Sequence, residues 1–217
     1  MENLITDQKA KKMKNKNVLI YGGIAAIAAA ATAYFTLRCT RTMKPIGAHT
    51  VSNFNLEKYL GKWYEIARID FKHERNLSNT SAEYSLNEDG TIAVINRGFN
   101  VVTNEWEMAK GKAKFRGAKN IGELKVSFFG PFYAGYNVLA LDADYQYALI
   151  AGEDTDNLWI LSRDTNIPNG IKTEFLGLAN SLGFDQSDIL WVDHQATKKK
   201  TLQVNKKTKI APKADRE

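Results

Sequence analysis

The chain has 217 residues, 44% of them hydrophobic, enough for one ordinary domain with appendages and too apolar for disorder throughout. Its single cysteine, Cys39, excludes an internal disulfide and a cysteine-rich metal site. The net charge of +6 comes from residues 1–17 (+3), 38–53 (+3) and 198–217 (+6), and residues 54–197 stand at −6, so the basic ends do not describe a nucleic-acid domain, which carries positive charge on the fold itself.

In chain order, residues 1–17 form a basic segment, and Val18 to Leu37 follows as 20 residues without a charge, the length of a bilayer-spanning helix. More bases precede it than follow it, which favours an internal N-terminus and an exported body. Three readings stay open. The stretch is an uncleaved membrane anchor, or a signal peptide with "ATA" (Ala31 to Ala33) at cleavage spacing, or a leader for lipidation at Cys39. Arg38, directly before Cys39, weighs against lipidation. Residues 38–53 read as a linker, residues 54–196 as the folded domain, and residues 197–217 as a basic, disordered tail suited to solvent or to anionic lipid.

Within the domain, "NFNLEKYLG" (Asn53 to Gly61) is a short lead-in with Asn53 or Asn55 as an N-cap. Eight runs of strand length follow: "WYEIARI", "SAEYSL", "TIAVINRGF", "EWEMAKGKAKF", "GELKVSFFG", "GYNVLALDAD", "YQYALIAG" and "NLWILSRD". Turn material such as "NEDG" and "DTDN" separates them. So many closely spaced strands predict an all-β antiparallel sandwich or barrel. Ile171, Phe175, Leu178, Ala179 and Leu182 then recur at helical spacing, with Gly183 as a C-cap, which predicts one amphipathic helix packed outside the sheet. "DILWVDHQ" adds a last short strand.

Strand alternation places Trp63, Glu65 and Ala67 on one face of the first strand and Tyr64, Ile66 and Arg68 on the other. In the eighth, Trp159, Leu161 and Arg163 share a face, and a cation there needs a partner such as an indole. "GKWY", "DADYQYAL" (Asp142 to Leu149) and "WILSRD" (Trp159 to Asp164) resemble the three lipocalin motifs, in order. "GKWYEIAR", "AEYSL" and "KVSFFGPFYAGYNV" are similar to bacterial outer-membrane lipoprotein lipocalins, and the resemblance spans roughly residues 54–195. It implies an eight-stranded up-and-down barrel whose base is closed by Trp63 stacked on Arg163.

Such a barrel holds one small ligand or its own side chains. Parity carried around it predicts an inward set of Ala67, Ala82, Tyr84, Val94, Asn96, Val126, Phe128, Tyr136, Val138, Ala140, Ala148, Ile150 and Trp159. This set suits a molecule with a long apolar part and a polar end, a fatty acid or lysophospholipid, with Lys72, His73 and Arg75 of "FKHERN" available to an anionic head. The resemblance likewise implies lipid binding at the cell envelope and, in some relatives, a homodimer; no cofactor is expected. His49, His73 and His194 are scattered without metal or nucleophile spacing, and Asp142 and Asp144, at a strand-to-turn junction, read as capping or ion-pairing residues, so no catalytic or metal residue is expected. A plugged barrel acting as an interaction module is the alternative, and an enzyme acting on a bound lipid a weaker one.

Overall fold

A computed structural model describes residues 43–195. The expected anchor or leader at 18–37, Cys39 and the tail from 197 lie outside the described residues. Nine strands form one sheet: β1 (Gly61–Ile69), β2 (Leu77–Leu86), β3 (Ile92–Asn100), β4 (Glu105–Phe115), β5 (Glu123–Phe129), β6 (Phe132–Leu141), β7 (Tyr147–Ala151), β8 (Leu158–Ser162) and β9 (Ile189–Trp191). Each of the first eight pairs antiparallel with its neighbour, and β1 pairs with both β2 and β8, which closes an up-and-down barrel without free first and last strands.

One edge of β1 is divided between two partners. Gly61–Tyr64 pair with β2, whereas Ala67–Ile69 pair with β9, and Val192 N–H continues that ladder onto the Ile66 carbonyl at 2.9 Å. The expected strands are all present. β2 begins at Leu77, earlier than alternation predicts, because a bulge between Ser78 and Ser81, with Asn79 at φ 51°, hides the period of "LSNT".

A four-residue helix, α1 (Leu56–Tyr59), precedes β1, and the Asn55 side chain accepts its capping bond from Lys58 N–H at 3.1 Å. The longer helix, α2 (Asn169–Ser181), lies outside the barrel as its stripe requires. Phe175 and Ala179 pack into an outer core with Ile66, Leu139, Leu149, Leu158 and Ile160. Gly183, at φ +86°, ends the helix, with Phe184 N–H bonding the Ala179 carbonyl. A second core fills the barrel itself.

Two side chains expected inside belong to the outer layer. Beyond a bulge in β1, Glu65 stands opposite Leu161, but Ala67 stands opposite Ile160 and Arg68 opposite Trp159. The extra residue reverses the alternation: Ile66 and Ala67 both join the outer core, and Arg68 turns inward. A bulge between Val138 and Ala140 does the same in β6, sending Ala140 to the outer core and Leu141 to the inner one.

Candidate ligand-binding site

The barrel is shut at the end where β1 starts. Trp63 is fully buried, and the Arg163 guanidinium carbon stands 3.9 Å from its ring centroid. Arg163 donates to the carbonyls of Lys62 (2.8 Å), Lys58 (2.8 Å), Tyr59 (3.2 Å) and Tyr145 (3.2 Å), so one side chain ties α1, β1 and the β6–β7 turn together. The Trp63 indole N–H donates to the Tyr59 carbonyl at 2.8 Å. Burial holds the Arg163 pKa below its ordinary value. The stacking of Arg163 on Trp63 that the resemblance implies is present in this geometry.

Above this base lies a tyrosine cluster. The Tyr136 hydroxyl bonds those of Tyr59 (2.6 Å) and Tyr84 (2.9 Å). Burial, foremost, raises the pKa of all three, so they stay protonated at physiological pH. Three hydroxyls carry three protons, and two bonds among them use two. One proton is left to donate elsewhere.

Of the residues expected inside, Ala82, Tyr84, Val94, Val138, Ala148 and Ile150 are buried in the inner core, with Val126, Phe128, Tyr136 and Trp159 packed against it. Asn96 shares their face, and its Oδ1 is buried without a hydrogen-bond partner. Small and aromatic residues alternate along this interior in β2 (Ala82, Tyr84) and β4 (Ala113, Phe115), and Ala148 of β7 adds a third small side chain.

Nearer the other end is a charged cluster that sequence reasoning did not assemble. Arg68, 1% exposed, donates from Nη1 to Glu65 Oε1 (2.8 Å), from Nε to Asp70 Oδ1 (2.9 Å) and from Nη2 to the Glu74 carbonyl (2.8 Å). The Glu74 carboxylate accepts from the Trp159 indole at 3.0 Å. Burial raises the Glu65 pKa, opposed by Arg68. Burial, then Glu65, pushes Glu74 up to about 8, so Glu74 holds a proton at neutral pH. Within "FKHERN" the acid turns inward, whereas Lys72, His73 and Arg75 are exposed. The available signal was Arg68 itself, a cation among Ile66, Ala67 and Ile69.

Asp142 accepts from the backbone N–H groups of Asp144 (3.1 Å), Gln146 (2.6 Å) and Tyr147 (2.6 Å), the turn-capping role expected of it. His194 bonds the Glu65 carbonyl at 2.8 Å and braces β1.

A closed eight-stranded barrel with a Trp–Arg base, an apolar interior and one helix outside defines the calyx type of β-barrel. The chain belongs to the lipocalin family: the lipocalin-like domain family matches residues 54–194. It is 49% identical over 166 residues to the outer membrane lipoprotein Blc of Escherichia coli, covering 76% of this chain and 94% of that protein. The Vibrio cholerae protein of the same name is 45% identical, over 70% of this chain and 89% of its own. Insecticyanin from the tobacco hornworm shares the fold at a TM-score of 0.55 and 20% identity, covering 70% of this chain and 87% of that one.

Proposed function

We propose that this lipocalin binds one long-chain lipid in its barrel, a lysophospholipid or fatty acid, for storage or transport at the bacterial cell envelope. The observation that carries this reading is the lining of the barrel, apolar and aromatic above the tyrosine cluster apart from Asn96, with the charged Arg68 cluster near the open end. Each buried methylene contributes about 0.8 kcal/mol, so about ten offset the cost of association and leave micromolar affinity. The exposed bases Lys72 and Arg75 of the β1–β2 loop, at the open end, suit the phosphate of a lysophospholipid or the carboxylate of a fatty acid. The names of the relatives support an envelope location, reached through residues 18–37 or a lipidated Cys39. Binding here needs no cofactor and no catalytic residue.

The test titrates residues 43–195, which contain both cores, with a lysophospholipid and a fatty acid, following tryptophan fluorescence and stoichiometry by native mass spectrometry. Saturable one-to-one binding of at least one of the two, lost in Val126→Trp, is expected. No saturable binding by a folded, ligand-free barrel would sink the proposal and leave the plugged-barrel alternative.

A further inference from the structure

The open end of the barrel carries most of the apolar surface that the fold leaves uncovered. Six of the eleven exposed large hydrophobic side chains in the described residues, Val101, Val102, Trp106, Met108, Phe129 and Phe132, lie on two successive hairpins, β3–β4 and β5–β6. Both hairpins turn at the end opposite the Trp63–Arg163 base. Val102 is 71% exposed, Phe129 76% and Phe132 65%, although neighbouring positions supply ample polar residues for a solvated turn.

The barrel wall is also open between these hairpins. β4 and β5 pair only from Lys112 opposite Ser127 to Phe115 opposite Leu124, so Glu105–Gly111 have no partner on that edge among the described residues. Ala109 stands opposite the inward-facing Asn96 and is nonetheless exposed. The β4–β5 ladder is therefore unzipped above Lys112, between apolar tips.

The described chain begins against the side wall of the barrel. The Met43 carbonyl accepts from Asn137 Nδ2 at 2.8 Å, the same amide donates to Gly152 of the β7–β8 turn, and Lys44 pairs with Glu123, the first residue of β5, at 2.7 Å. From there residues 43–54 run towards the base: Val51 N–H bonds the Val138 carbonyl, and Phe54 N–H bonds the Asn120 carbonyl. Charge supplies the direction: the exposed bases Lys72 and Arg75 of the β1–β2 loop lie at the same end of the barrel as the apolar tips and complement an anionic lipid surface.

We infer that the protein docks mouth-first on a phospholipid bilayer, with Val101, Val102, Phe129 and Phe132 inserted at the interface and the β4–β5 gap facing the lipid. Passage of a lipid chain through that gap rests on the lipid-binding reading; the docking does not.

The test uses the full chain bound to phosphatidylethanolamine–phosphatidylglycerol vesicles and reads backbone hydrogen exchange at both ends of the barrel. Exchange at residues 99–106 and 128–133 is expected to slow about tenfold or more on vesicles, with the base turns at 87–91 and 142–146 unchanged. V102D/F129D should abolish the slowing while keeping one-to-one binding of a lysophospholipid, which separates docking from ligand binding. Equal change at both ends, no change at the tips, or the same protection without vesicles rising with protein concentration, as for pairing of two copies, would overturn the inference.

Discussion

Replacing Arg163 with alanine tests the closure of the barrel. Trp63 is fully buried and the guanidinium sits 3.9 Å from its ring, so the stacking is worth about 1–2 kcal/mol. The bonds to the Lys58 and Lys62 carbonyls are exposed, and water replaces them at little cost. Those to Tyr59 and Tyr145 are partly buried and contribute about 1 kcal/mol each. Together, Arg163→Ala should destabilise by about 3–4 kcal/mol, and Arg163→Lys, which keeps charge but not the fork, by about 2 kcal/mol. Urea unfolding followed by far-UV circular dichroism measures both, and a cycle with Trp63→Phe isolates the stack, with an expected coupling of about 1 kcal/mol. A loss under about 1 kcal/mol for the alanine variant, or no coupling in the cycle, would refute the assignment of Arg163 as the clasp of the base.

Glu74 makes stability depend on pH. Its folded pKa, about 8, lies above its ordinary value of 4.5, so the fold holds this proton more tightly than the unfolded chain and its contribution is full below 4.5 and lost as pH rises through 8. The interval sets a ceiling of about 5 kcal/mol, and water entering at the open end should reduce the loss to about 2 kcal/mol; Glu74→Gln should flatten the profile between pH 5 and 9 in denaturation at constant salt. Tyr136→Phe removes the hydroxyl shared by Tyr59 and Tyr84 and should cost about 1–2 kcal/mol in the same assay, with a weaker lipid titration. A Cβ at Gly111 would stand 2.8 Å from the Phe128 ring and 2.9 Å from the Ser127 carbonyl, and the backbone atom cannot rotate away. Gly111→Ala should therefore lower the unfolding free energy by about 1–3 kcal/mol and shift the Phe128 ring resonances in an NMR spectrum.

The order of the strands, the helix after β8 and a cap at Asn53 or Asn55 were legible in the chain, because each rests on local periodicity or on a residue type that has few uses, whereas the Trp63–Arg163 pair was legible only through the family resemblance. Parity inside a strand was equally legible, up to the first bulge. The bulges after Glu65 and Val138 were not, since they answer to the curvature of a closing barrel and to the ladder that β9 adds to β1. One inserted residue moves every later side chain to the other face, which is why Ala67 and Ala140 lie outside and Arg68 inside. The inward turn of Glu74 followed from Arg68, a contact between an exposed loop and a buried strand position that no spacing encodes. Composition and period determined what this chain builds; closure of the sheet on itself decided which side chains its interior holds.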